Sequence, residues 1–203
     1  MGARMHSTLT TVPTPESTTV APATQISSDL LREVMGHFAT GIAVITAYEG
    51  RDPIGLTCQT VVSVSLEPPL VAFCPAKTST SWPRLRRGGN VCINVLADQQ
   101  GDLCRQFARS GVDKFAGVDH RPARNGAPLI DSALAHVEAT VQSEHDAGDH
   151  TIVVCRVTGL SANATGGPLL FYRGAFENLH DPSRRSARDT TAYRAQDVPK
   201  EDS

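Results

Sequence analysis

A series of short apolar runs, separated by turn residues, extends across residues 41–172 and limits the folds open to this chain. Valine, isoleucine and leucine dominate GIAVITAY (41–48), LVAFCP (70–75), NVCINVL (90–96) and TIVVCRVTGL (151–160). Runs of this length and composition, bounded by Gly, Pro and Asp, are typical of β-strands. Because successive runs are mostly joined by short turns, we expect a mainly antiparallel sheet.

The same pattern predicts the individual elements. Strands are expected over residues 41–48, 55–65, 70–75, 90–96, 134–145, 151–160 and 169–172. Helical spacing predicts helices over 29–38, with Ser28 or Asp29 as N-cap, over 78–87, and over 98–109 after an Asp98 cap. The number and even spacing of the strands favour closure into a small barrel. The predicted class is therefore mainly β with flanking helices.

The two ends of the chain have a different composition. Residues 1–28 are rich in Ser, Thr, Pro and Ala, which offer too little apolar surface to offset the entropy of ordering. Residues 180–203 are polar and charged. We predict a disordered arm, one folded domain over residues 29–179, and a polar C-terminal tail.

Charge and cysteine usage exclude several classes of protein. The net charge is −2, which argues against a nucleic-acid partner, and we interpret the basic cluster Arg84, Arg86 and Arg87 as a solvated helix end. The five cysteines include no CxxC pair and mostly lie in apolar runs, so we expect buried free thiols in a reducing compartment, the cytoplasm. No apolar run approaches the roughly 18 residues of a membrane span, and we predict no membrane association.

The common nucleotide and hydrolase motifs GxGxxG, GxxxxGK[ST] and GxSxG do not occur. Two other segments could bind a cofactor. In GLTCQT (55–60), Gly55 would let a ligand approach the backbone while Thr57, Gln59 and Thr60 offer polar partners, although an exposed strand face would look the same. In PAKTSTSW (75–82), a helix N-terminus with three hydroxyls and Lys77 would suit a phosphate, although an ordinary Ser/Thr cap remains open.

A third segment, Gly148-Asp149-His150, lies in a turn that also contains His145 and Asp146. The spacing matches no zinc pattern, so we predict no metal site. An ordinary charged turn is the default interpretation, but it does not explain why an imidazole stands where a strand begins.

Seven stretches in order resemble the short-chain flavin reductases, the reductase components of two-component flavin-dependent monooxygenases. They are FATGIAVIT (38–46), GLTCQTVVSVSLEPPLVAFCPAKTSTSW (55–82), NVCINVLADQQGDLCRQFA (90–108), DKFAG (113–117), GAPLIDSALAHVEATV (126–141), GDHTIVVCRV (148–157) and PLLFYRGAF (168–176). The resemblance implies a flavin-binding split β-barrel, a homodimer, and hydride transfer from NADH to FAD or FMN, with FAD favoured. It also implies a partner monooxygenase that receives the reduced flavin.

The resemblance also implies positions for the cofactors. The isoalloxazine would lie against residues 55–60, the flavin phosphate near residues 77–81, and the nicotinamide beside His150, the expected catalytic residue, and residues 172–174. Residues 107–110 would border the flavin or its adenylate. The predicted cofactor-binding residues are Gly55, Leu56, Thr57, Cys58, Gln59, Thr60, Cys74, Pro75, Lys77, Thr78, Ser79, Ser81, Trp82, Phe107, Arg109, Ser110, His150, Tyr172, Arg173 and Gly174.

Two other functions remain open at this point. One is a flavoenzyme similar to pyridoxamine-phosphate oxidase, which would need a basic site for a phosphorylated substrate. The other is a non-catalytic flavin or haem carrier of the same fold. NADH consumption that depends on added flavin would separate them from a reductase.

Overall fold

A computed structural model describes residues 26–163 and 166–179. Most of the predicted arm and all of the predicted tail, residues 180–203, lie outside these residues. The last residues assigned to the arm are an exception, because Ser28 already belongs to the first helix.

The described chain contains twelve strands and three short α-helices. The helices are α1 (Ser28–Met35), α2 (Trp82–Leu85) and α3 (Gly101–Ala108), and a turn of 3₁₀ helix over Arg86–Gly88 follows α2. The strands are β1 (Thr40–Gly41), β2 (Ala43–Glu49), β3 (Asp52–Cys58), β4 (Val61–Leu66), β5 (Pro69–Phe73), β6 (Asn90–Val95), β7 (His120–Pro122), β8 (Pro128–Ile130), β9 (Ala135–Ala147), β10 (His150–Ala162), β11 (Leu170–Tyr172) and β12 (Ala175–Glu177).

The main sheet has seven strands in the order β3-β2-β6-β9-β10-β5-β4, and every pair is antiparallel. The predicted mainly β, antiparallel class is confirmed. The single strand predicted over residues 55–65 is wrong: the chain leaves β3 after Cys58, and β4 pairs with β5 at the opposite edge. In the part of the chain that the structure describes, β3 and β4 do not pair, so hydrogen bonding does not close the sheet into the predicted barrel.

The sheet nevertheless curls around one apolar core. Leu56 from one edge strand packs in the same buried cluster as Phe73 from the other end of the sheet. Alternate residues of β2 face this cluster, while Val44 faces a second cluster beneath α3 that contains Phe107. Burial on both faces explains why β2 reads as a nearly continuous apolar run.

The helices are shorter than predicted for local reasons. Ser27, not Ser28 or Asp29, caps α1, because its Oγ accepts a hydrogen bond from the backbone N–H of Leu30 at 3.2 Å. Helix α3 begins at Gly101, not after Asp98, because Gln100 closes a turn by donating from its backbone N–H to the Ala97 carbonyl at 2.9 Å.

Several small elements were not predicted from the sequence. The predicted strand over 169–172 is present as β11, but its partners β1 and β12 in a three-stranded sheet, and the pair β7 and β8, were not expected. Elements of two or three residues carry no detectable periodicity. None of the helices in the described ranges is long and apolar enough to cross a membrane.

Candidate functional site

A cleft of about 470 Å³ opens where the end of β3, the loop after β5, the end of α3 and the start of β10 meet. This volume lies within the usual range of small-molecule sites. The described residues that line the cleft are Leu56, Thr57, Cys58, Gln59, Thr60, Cys74, Pro75, Ala76, Thr78, Ser79, Thr80, Ser81, Phe107, Ala108, Ser110, Lys114 and His150.

Backbone hydrogen bonds hold these elements together. Ala76 bridges to His150, and the N–H groups of Lys77 and Thr151 donate to the carbonyls of Asp149 (2.9 Å) and Pro75 (3.1 Å). The loop after β5 therefore continues the ladder of β10 for a few residues. This pairing places the imidazole of His150, one of the predicted site residues, at the cleft.

The Gly55 backbone serves a different purpose from the one expected. A Cβ on Gly55 would lie 2.4 Å from Cε1 of Phe107, whose side chain is fully buried. The ring of Phe107 in turn packs edge-on against Phe115, with centroids 5.0 Å apart. The glycine therefore makes room for a core aromatic ring rather than for a ligand.

The hydroxyl groups of the GLTCQT segment are mostly engaged by the fold. Thr57 donates from Oγ1 to the Cys104 carbonyl at 2.8 Å, which ties β3 to α3. Thr60 accepts from the Cys74 N–H at 3.0 Å and so joins the end of β3 to the end of β5. The side-chain amide of Gln59 makes no hydrogen bond within the described chain, so it is available to bind a ligand.

The Thr78–Ser81 hydroxyls do not stand on a helix of the predicted length. The four-residue α2 begins only at Trp82, because the Ser79 Oγ accepts from the Trp82 N–H at 3.1 Å and holds the preceding residues in a turn. The predicted helix N-terminus at Thr78, which would have offered a helix dipole to a phosphate, is therefore wrong. Ser81 is buried, and its Oγ accepts from the ammonium of Lys114 at 2.9 Å.

Lys114 also lines this cleft, although no role was predicted for it from the sequence. Its Nζ also donates to the Gly55 carbonyl at 3.1 Å. The side-chain amide of Gln106 donates to the backbone carbonyl of Lys114 at 2.9 Å. Burial, with the positive charge of Arg84 nearby, lowers the pKa of Lys114. The local DKFAG sequence does not indicate that Lys114 lies in the cleft, because its place there depends on contacts with Ser81 and Gly55, which are 33 and 59 residues away in the chain.

The imidazole of His150 is oriented by its neighbour. Its Nδ1 lies 2.7 Å from Oδ1 of Asp149, and this hydrogen bond is the main cause that lowers the pKa of the Asp149 carboxyl. Because a carboxylate only accepts, Nδ1 carries the proton and donates. In the neutral ring, Nε2 is then left as an acceptor.

Several predicted site residues do not line this cleft. Lys77 forms an ion pair with Asp146, and Trp82 packs edge-on against Phe73 in the core. Arg109 lines a neighbouring groove. The residues outside the cleft are Gly55, Lys77, Trp82, Arg109, Tyr172, Arg173 and Gly174.

The last three of these form the turn between β11 and β12. The N–H of Arg173 donates to the Gly36 carbonyl at 3.0 Å, and Tyr172 stacks edge-on with His37. The segment therefore lies against the end of α1.

Among the described residues, the basic cluster is ion-paired and most of the cysteines are buried. Arg84 and Arg87 pair with Glu49, and Arg86 pairs with Glu144, as expected for a solvated helix end. All five cysteines are free, and burial raises the pKa of Cys92 and Cys155 to about 12, far from that of an activated thiol. Among residues 26–163 and 166–179, no group of three or more His, Cys, Asp or Glu could hold a metal ion.

These features define a cleft lined by hydroxyl and amide groups, one lysine and one imidazole, at the edge of a curled antiparallel sheet. Residues 35–180 match the family described as the flavin reductase like domain, and the chain belongs to that family.

Named relatives and solved structures are similar over most of their length. The reductase subunit HsaB of a flavin-dependent monooxygenase from Rhodococcus jostii is 44% identical over 148 residues, 73% of this chain and 76% of that protein. A nitrilotriacetate monooxygenase component B homologue from Mycobacterium thermoresistibile is 39% identical with a TM-score of 0.75, covering 82% of this chain and 92% of that one. The NADH:FAD oxidoreductase SgcE6 of Streptomyces globisporus, solved with NAD and FAD fragments, is 35% identical with a TM-score of 0.72, covering 76% and 94%.

Proposed function

We propose that this protein is an NADH-dependent flavin reductase that transfers a hydride from NADH to FAD or FMN and supplies the reduced flavin to a partner monooxygenase. The observation that carries the proposal is the cleft, which combines free polar groups, one lysine and an oriented imidazole in a chain of the flavin reductase family. A monooxygenase partner is supported by the names of the HsaB and component B relatives.

Different residues of the cleft would bind different parts of the flavin. The isoalloxazine lies against residues 56–60, where Gln59 and the backbone can pair with its pyrimidine edge. The flavin phosphate lies toward the hydroxyls of Thr78 and Ser79. FAD is favoured over FMN, because SgcE6 is named as an NADH:FAD oxidoreductase.

His150 would hold the nicotinamide. Its free Nε2 accepts a hydrogen bond from the carboxamide NH₂, and Asp149 keeps the ring in the orientation this requires. Hydride transfer needs the nicotinamide and isoalloxazine rings to stack at about 3–3.5 Å, and the protein supplies that alignment rather than a general base.

We extend the proposal to architecture, assembly and location. We propose that the curled sheet, in which Thr60 ties the end of β3 to the end of β5, is the split barrel of this family. The apolar side chains Leu30, Leu31, Val34 and Met35 of α1 are more than half exposed, which supports burial against a second copy in a homodimer. Five free thiols favour the reducing cytoplasm.

A steady-state assay under air that crosses FAD and FMN with NADH and NADPH tests the function. We expect NADH consumption to require added flavin and to be fastest with FAD. Flavin binding without NADH consumption would instead indicate a carrier. Oxidation of a phosphorylated pyridine substrate would indicate an enzyme of the pyridoxamine-phosphate oxidase type. Light scattering tests the dimer, and a monomeric mass would exclude it.

A further inference from the structure

We infer that Lys114 is the cation that binds the ribityl phosphate of the flavin and makes the cleft select phosphorylated flavins over riboflavin. This inference rests on the proposed function and deepens it. It assigns a role in flavin binding to a residue of the loop after α3.

The first support is the charge of the cleft. Lys114 is the one lysine or arginine among the described residues that line it, and none of those residues is Asp or Glu. A cleft whose permanent charge is a single cation favours an anionic ligand, and a partly buried cation interacts more strongly than an exposed one.

The second support is that Lys114 is not neutralised. Within the described ranges, no carboxylate oxygen lies within the 4.0 Å of an ion pair from its ammonium. Its two hydrogen bonds go to neutral acceptors, the Gly55 carbonyl and the Ser81 hydroxyl, at 3.1 and 2.9 Å. Since an ammonium has three N–H donors, one is left for a ligand.

The third support is position. Gly55 immediately precedes the segment that faces the isoalloxazine, and Ser81 ends the hydroxyl segment that faces the phosphate. Lys114 bridges these two segments, so its ammonium is held beside the hydroxyl segment, where the phosphate at the end of the ribityl chain would lie. The geometry also excludes Lys77 from this role, because that lysine is paired with Asp146 outside the cleft.

The test measures dissociation constants of riboflavin and FMN by flavin fluorescence for the parent protein and for Lys114→Met. Losing a charge-assisted hydrogen bond should raise the Kd of FMN about 10- to 100-fold, while that of riboflavin changes less than about twofold. The salt dependence of FMN binding should shrink in the variant, because one ion pair is lost. Lys114→Arg, which keeps the charge, should retain most of the preference for FMN.

Two further variants keep the result interpretable. Lys114→Gln removes the charge but keeps an N–H donor for the Gly55 carbonyl, and it should show the same selective loss if Lys114→Met folds poorly. Arg121→Met removes an exposed cation paired with Asp131, away from the cleft, and should leave both constants within about twofold of the parent.

Equal losses of affinity for riboflavin and FMN would show that Lys114 only stabilises the structure of the cleft, and would overturn the inference. So would a phosphate-selective loss in Lys77→Met but not in Lys114→Met. The parent protein separates this inference from the proposed function. If it prefers FMN over riboflavin through Lys114 but never oxidises NADH, the reductase function fails and the phosphate contact stands.

Discussion

Replacing Gly55 with alanine should destabilise the protein without a specific loss of flavin binding. The new Cβ would lie 2.4 Å from Cε1 and 2.5 Å from Cδ1 of Phe107, closer than real Cβ contacts. The Phe107 ring is fully buried and packed against Phe115, so it has little room to move.

The size of the effect follows from two opposing terms. Overpacking a core typically costs about 1–3 kcal/mol, and a fixed ring places Gly55→Ala near the upper end. The smaller conformational entropy of alanine in the unfolded chain offsets about 0.4–1 kcal/mol. We expect a net loss of about 1.5–2 kcal/mol, which lowers the melting temperature by about 3–8 °C for a domain of this size.

Thermal unfolding and a flavin titration on the same samples check the prediction. Gly41→Ala is the matched control, because a Cβ on that strand glycine meets nothing within 4 Å. The clash should also be relieved in part by Phe107→Leu, so Gly55→Ala should cost less in that background. An unchanged melting temperature with a large loss of flavin affinity would show instead that the glycine is needed for close approach of the ligand.

Three further predictions follow from the site and the sequence. His150→Ala should lower kcat/KM for NADH about 10- to 100-fold, because one positioning contact is lost, while flavin Kd stays nearly constant; lower stability with normal kinetics would show that His150 only closes the turn. Cys74, which is half-buried in the cleft, should be alkylated at neutral pH and protected by FAD, whereas the buried thiols of Cys92 and Cys155, with a pKa of about 12, should stay unmodified in mass spectra; alkylation of Cys74 unaffected by FAD would place the flavin elsewhere. Deleting the first 25 residues should leave the melting temperature and flavin reduction nearly unchanged, and a large loss of either would show that the segment docks on the domain.

The longer strands could be predicted from the sequence because their signal is local. Strands β2, β6 and β10 are apolar runs bounded by turn residues, and the structure places them close to the predicted positions. Closure of the sheet could not be judged in the same way. Whether β3 continues into β4 depends on Thr60, whose side chain pairs with Cys74 and turns the chain toward the other edge.

Only those parts of the candidate site that carry a local sequence signal could be predicted. His150 and the segments around Gln59 and Ser79 carry polar groups at strand and loop positions, which is visible in the sequence, and the structure brings them to one cleft. Gly55 is required because of its contact with the ring of Phe107, which lies 52 residues further along the chain. Lys114 has no local signal, because only tertiary packing brings its ammonium to Gly55 and Ser81.

In the proposed function, the cleft aligns NADH and flavin for direct hydride transfer. The most direct measurement mixes the protein anaerobically with oxidised FAD and NADH and follows the visible absorbance of the flavin. We predict rapid bleaching with equimolar oxidation of NADH, and slower bleaching when the transferring position of NADH carries deuterium. Bleaching no faster than in the absence of protein, or a requirement for oxygen, would contradict the account.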